Sequence, residues 1–167
     1  MAQRIRRTVE PTLQTKHEAL QHQEEAVRAL RDLDYGAVFH EQGLGKTKIA
    51  IDLVIYWLEK KLIDVALVVT KKSLIKNWLD EFVIHSFLKP RVVTQDERNN
   101  FYIFNSPARL LLAHFEVLRT ERKMVELFLK TRSVAIILDE STKIKNPHSA
   151  LAQSYFELAP LFSKRFI

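Results

Sequence analysis

The sequence predicts an α/β fold: a mostly parallel sheet with helices on both faces. Three observations carry this. Short segments that are apolar throughout, such as "VALVVT" and "VAIIL", alternate with longer segments of helical character, the pattern of strands covered on both faces. The stretch "GLGKT" (43–47) stands between a predicted strand and a predicted helix. Another predicted strand ends in the acidic pair Asp139-Glu140. In parallel sheets of this kind ligands sit beyond the carboxyl ends of the strands, and both stretches fall at such ends.

Residues 1–16 read as an irregular, basic lead-in. Over 17–33, Leu20, Ala26, Val27 and Leu30 recur at helical spacing, so an amphipathic helix is predicted. "YGAVFH" (35–40) predicts a short buried strand and 47–62 a strongly apolar helix. A strand over 64–70 and a helix over 73–87 follow, and "RVVT" (91–94) and "FYIF" (101–104) are short strand candidates. "ARLLLAHF" (108–115) fits strand or helix, with strand running into loop preferred. A helix over 121–131, a strand over 133–140, a helix over 149–162 and a final strand opening at "KRFI" complete the pass.

The bulk composition is that of an ordinary globular chain: 167 residues, 47% hydrophobic and 28% charged. No apolar run approaches the roughly 20 residues that span a bilayer, and the basic start "MAQRIRRTVEP" lacks the apolar stretch of a secretory signal. With no cysteine there is no disulfide or thiolate zinc site, which is compatible with an intracellular location. The six histidines show no ligand spacing for a structural metal. A net charge of +6 suits a polyanionic partner, and equally a merely solvated basic surface.

Only three glycines occur, and two of them, Gly43 and Gly45, fall within "GLGKT". A phosphate-binding loop needs backbone N–H groups pointed at phosphate oxygens, hence absent side chains at tight places, followed by a helix N-terminus. Gly43, Leu44, Gly45, Lys46 and Thr47 supply the later part of that pattern, although His40 stands where its first glycine is usual. In this reading Lys46 reaches the β- and γ-phosphates of ATP and Thr47 offers a hydroxyl to Mg²⁺. Asp139 supplies the carboxylate for the metal, and Glu140 orients or deprotonates the attacking water. The interval between the two stretches leaves room for two or three strand–helix units.

Taken as an ordered set, these stretches resemble the first RecA-like lobe of superfamily-2 helicase-type ATPases, and more narrowly the SWI/SNF-type DNA translocases. "LQHQEEAVRAL" (20–30) resembles their Gln motif, which implies that Gln23 reads adenine. "HEQGLGKT" (40–47) resembles their first motif, commonly Asp-Glu-Met-Gly-Leu-Gly-Lys-Thr; that family also lacks the first glycine. "LVVTKKSLIKNWLDEF" (67–82), "LLLAHFEVLR" (110–119) and "ILDESTKIKNPHSA" (137–150) are similar to later motifs in order. The resemblance spans about residues 18–167. It departs at the acid box, where Thr142 replaces a His that in the family links nucleotide state to DNA.

The resemblance implies that ATP and Mg²⁺ are bound, with Lys46, Asp139 and Glu140 carrying the chemistry. It implies duplex DNA gripped through its backbone, with candidate contacts at Thr70, Lys71, Lys72 and Ser73, at His114, and at Lys143, Lys145 and Asn146. The alternatives are that "TKKS" is a solvated loop with Ser73 capping the next helix, and that Lys145 and Asn146 brace the acid box. Trp57 and Trp78 are expected in the core. A Thr-Gly-Thr-Pro motif and a second lobe with arginine fingers would follow "SKRFI", so the expectation is a 17–167 lobe cut short; a single-lobe protein is the alternative. The location implied is cytoplasmic for a prokaryotic or viral source and nuclear for a eukaryotic one. Rival readings are a strand-separating helicase, a restriction-complex motor, or a non-catalytic nucleotide- or DNA-binding module.

Overall fold

The computed structural model describes residues 10–37 and 45–167. Six strands form one sheet: β1 (Tyr35–Gly36), β2 (Val65–Thr70), β3 (Arg91–Val92), β4 (Leu110–His114), β5 (Val134–Leu138) and β6 (Lys164–Phe166). Their order is β1-β6-β5-β2-β4-β3, and every pairing is parallel. The helices are α1 (Gln21–Leu30), α2 (Lys46–Glu59), α3 (Ile75–His85), α4 (Glu97–Phe104), α5 (Val117–Thr120), α6 (Arg122–Thr131) and α7 (Ala150–Leu158).

The alternation of side chains along a strand divides the core in two. Val65, Leu67 and Val69 of β2, with Val134, Ile136 and Leu138 of β5, pack with α4–α7. Ala66 and Val68, with Ala135 and Ile137, pack with α2 and α3, while α1 leans on that cluster through Ala26, Val27 and Leu30. Central strands sandwiched in this way have no polar face, which is why they read as continuous apolar runs. Trp57 of α2 is fully buried. Its indole N–H donates to the Arg31 carbonyl at 2.8 Å and its ring lies 4.8 Å from that of Phe166, so it ties α2 to the end of α1 and to β6.

Three expectations change. "FYIF" is the end of α4 rather than a strand. Asp96 caps that helix, its carboxylate accepting from the backbone N–H of Arg98 and Asn99. Asn100, Ile103 and Phe104 are then buried while Phe101 and Tyr102 face solvent, so helical burial overrides the strand preference of aromatic residues. The first helix starts at Gln21 rather than 17, because Leu20 is extended (φ −68°, ψ 155°) and its N–H donates to the Gln23 side chain at 3.0 Å. The "YGAVFH" strand is seen as Tyr35–Gly36, with Tyr35 exposed; residues 38–44 lie outside the described residues.

The described part of the lead-in is irregular yet docked. Thr15 bridges Ser86, the Lys16 N–H donates to the His85 carbonyl, and Glu10 pairs with Arg109. Among the described residues no helix is long and apolar enough to cross a membrane.

Candidate active site

Every strand runs the same way, so one edge of the sheet gathers all the carboxyl ends. Thr70 and His114 are register partners at the ends of β2 and β4. Val69 lies opposite Leu138, and the Asp139 N–H donates to the Val69 carbonyl at 2.9 Å. The ladder therefore carries on for one bond past β5 and delivers Asp139 at this edge.

Gly45 forms the N-terminal cap of α2 in the left-handed region (φ 74°, ψ 38°). The backbone conformation favours glycine there, and a β-carbon would lie 2.2 Å from Gln23 Nε2, so any side chain would also displace that amide. Lys46 and Thr47 occupy the first helical positions, where unpaired N–H groups and the helix dipole favour an anion. Lys46 is exposed and has no ion-pair partner among the described residues. Gly43, Leu44 and His40 lie outside the described residues.

The two predicted halves meet. One cavity of about 330 Å³ is lined by Lys46, Thr47, Trp78, Asp139, Glu140 and Lys145, among others. A second of about 620 Å³ is lined by Gln23, Gly45, Lys46, Thr47, Asp139 and Glu140, together with residues of α3 and residues just ahead of α1. Both volumes lie in the range of small-molecule sites. Lys46, Thr47, Asp139 and Glu140 are common to both. Gln23, buried and reaching Gly45, stands on the side of the second cavity.

The Asp139 carboxylate is held. Its Oδ2 accepts from the Thr70 hydroxyl at 3.0 Å and from the Trp78 indole N–H at 2.8 Å. Both donors are buried. Thr70 is fully buried with its hydroxyl committed to Asp139, so its side chain is not presented to a DNA phosphate. Trp78 packs against Phe82, as expected of a core residue, but it also lines the cavity and bonds the acid. The "NW" dipeptide signalled an apolar helical position; nothing in its spacing revealed where the indole N–H points.

Glu140 adopts a left-handed conformation (φ 57°, ψ 60°), uncommon for a residue with a side chain. It turns the chain from β5 into a 3₁₀ turn, Ser141–Ile144. Its carboxylate forms an ion pair with Lys71, both groups being partly exposed.

The remaining predicted nucleic-acid residues lie along the same edge. Lys72 and Ser73 are exposed in a 3₁₀ turn, Lys72–Leu74, ahead of α3. Ser73 does not cap α3: that helix begins at Ile75 and has no side-chain cap. His114 is partly exposed. Burial and then the nearby Lys72 push its imidazole below the ordinary range, against the opposing Glu116. Lys143, Lys145 and Asn146 are exposed beyond β5. Lys145 shares the cavity of the acid pair. Asn146 does not brace those acids; its side-chain oxygen accepts from the His148 N–H in a turn leading to α7.

No group of three or more His, Cys, Asp or Glu suited to a metal occurs among the described residues. Mg²⁺ in nucleotide sites needs less, since phosphate oxygens and water complete its shell around one or two protein oxygens. The Thr47 hydroxyl and the Asp139 carboxylate, facing one cavity, are an all-oxygen set of that kind.

A parallel sheet with a glycine-capped helix start and a strand-end acid pair in one cavity defines a phosphate-loop α/β lobe of the RecA type. The family model described as the SNF2-related domain matches residues 22–163, and the chain belongs to that family. It is 29% identical over 141 residues to an uncharacterized ATP-dependent helicase of Mycoplasma pneumoniae, covering 80% of this chain and 13% of that protein. It is 29% identical over 130 residues to the probable ATP-dependent DNA helicase CHR12 of Arabidopsis thaliana, covering 71% of this chain and 11% of that protein. The chain thus spans only a small part of the relatives it matches. Among solved structures, the Sulfolobus solfataricus SWI2/SNF2 ATPase core in complex with dsDNA shares the fold, with a TM-score of 0.75 at 22% identity. That match covers 95% of this chain and 33% of the other.

Proposed function

We propose that this chain is the ATP–Mg²⁺-binding lobe of a SWI/SNF-type ATPase that is driven by double-stranded DNA and moves along it when joined to a second lobe. The observation that carries the reading is the convergence of Gly45-Lys46-Thr47 with Asp139-Glu140 on one cavity edge. The relatives' names and the DNA-bound relative support it.

In this reading the α2 N-terminus and Lys46 bind the phosphates, and Gln23 borders the base. Thr47 and Asp139 hold Mg²⁺, which neutralises charge on the transferring phosphoryl group when bound. Glu140 accepts a proton from the attacking water. In this structure its carboxylate pairs with Lys71. A DNA phosphate that draws Lys71 away leaves Glu140 free, so the DNA backbone and the Glu140 carboxylate compete for one lysine, and DNA contact favours water activation. The lobe alone binds nucleotide and turns it over slowly, because an arginine finger from a second lobe is worth on the order of a thousandfold or more.

The test is titration of the chain with a fluorescent ATP analogue and Mg²⁺ beside Lys46→Ala, followed by turnover of the two-lobe protein with and without duplex DNA. Saturable binding lost in the variant, and turnover raised by duplex DNA, are expected. Binding that survives Lys46→Ala would remove the phosphate-loop assignment. The word helicase in the relatives' names points to a second reading, strand separation, which a strand-displacement assay distinguishes.

A further inference from the structure

Two buried side chains from different elements converge on one oxygen of Asp139. Trp78, 3% exposed on α3, donates its indole N–H, and Thr70, 0% exposed at the end of β2, donates its hydroxyl. The Asp139 backbone is held by Val69. The carboxylate is thereby fixed in position and in rotation, with Oδ2 saturated. Among the described residues no hydrogen bond or ion pair engages Oδ1.

We propose that Trp78 and Thr70 are positioning residues that aim the free oxygen of Asp139 at the metal of the bound nucleotide; this rests on the ATP–Mg²⁺ reading above. The chemistry of the two donors fits the task. A lysine or arginine at either place would orient the carboxylate but also cancel its charge and compete with the cation. A neutral indole N–H and a hydroxyl orient it and leave the full negative charge for the metal. Neither donor can leave easily. Trp78 is packed against Phe82 with ring centroids 5.8 Å apart, and Thr70 lies within a central strand paired on both sides. The α3 helix thus contributes to the metal site through a residue that shows no chemistry in the sequence.

The experiment compares Trp78→Phe, Thr70→Val and Thr70→Ser with wild type in the 167-residue chain. Phe keeps a ring against Phe82 and Val keeps the shape of Thr, while each removes one donor; Ser retains the hydroxyl. Affinity for a fluorescent ATP analogue is measured over a Mg²⁺ series and in excess chelator, with thermal melts alongside. Trp78→Phe and Thr70→Val each raise the Mg²⁺ concentration at half-maximal binding about tenfold, the usual scale for loss of a ligand's supporting bond. Chelator-state affinity stays unchanged, and Thr70→Ser behaves as wild type. A Mg²⁺ midpoint that stays put in both donor-removing variants would overturn the proposal while the nucleotide site stands. Loss of affinity equal with and without metal would reduce the two residues to a structural role. A wild-type chain that binds no nucleotide would remove the ATP–Mg²⁺ reading and this inference with it.

Discussion

Gly45→Ala tests the closest contact in the site. Gly45 has φ 74°, and an L-residue in the left-handed region costs about 1–2 kcal/mol. The new methyl would also lie 2.2 Å from Gln23 Nε2, a separation no real β-carbon keeps, so the Gln23 side chain must move. It is buried, and its Oε1 accepts the Leu20 N–H at 3.0 Å. Giving up that bond costs about 1 kcal/mol. The total is about 2–3 kcal/mol, which for a chain of this size lowers Tm by about 5–10 °C. A double-mutant cycle followed by circular dichroism in urea separates the two parts. In a Gln23→Ala background the obstructing amide is gone, and Gly45→Ala should cost only the backbone part. The expected coupling is about 1 kcal/mol. Equal costs in both backgrounds would refute the contact between α1 and Gly45. No cost in either would refute the left-handed cap itself.

Other perturbations test separate parts of the structure. Lys48 and Asp52 form a nearly buried pair at 2.6 Å, and burial raises the Asp52 carboxyl above its usual range against the pull of Lys48. Lys48→Met should therefore cost about 3 kcal/mol by stranding Asp52, and Lys48→Met with Asp52→Leu should recover to within about 1 kcal/mol of wild type; equal loss in single and double variants in urea melts would contradict this. Lys71→Ala in the two-lobe protein should raise turnover without DNA and shrink the stimulation by DNA. So exposed a pair is worth about 0–1 kcal/mol, which limits the rise to about fivefold, and an unchanged stimulation ratio would count against competition for Glu140. The His114 imidazole titrates below 6.5 in the folded chain. Its contribution to stability is full above pH 6.5 and is lost as pH falls through the folded value, where the unfolded chain binds the proton more readily. Urea melts at pH 7.5 and 5.5 should show a smaller acid loss in His114→Gln than in wild type, and an equal loss would exclude His114 as the source.

The sheet was legible because its strands are sandwiched. "VALVVT" and "VAIIL" have no polar face, and no other placement hides them on both sides. The glycine-capped start of α2 was legible because glycine is scarce and "GLGKT" concentrates it. Asp139 and Glu140 were legible because an apolar strand cannot end in two acids without presenting them at the sheet edge. The helix at 97–104 was not legible, since its capping by Asp96 and the exposure of Phe101 and Tyr102 depend on what packs around Asn100 and Ile103.

Local pattern determined that the long apolar runs pair as central strands and which residue types stand at their ends, because those follow from periodicity and from the chemistry of single side chains. Tertiary structure alone decided which groups share a partner. Thr70 turned from the open sheet edge to Asp139, Trp78 joined it from α3, Lys71 came to face Glu140, and Gln23 came to rest against Gly45. Each of these contacts joins segments far apart in the chain. Each depends on distances and directions that exist only once the sheet order has brought β2 beside β5 and α1 against α2.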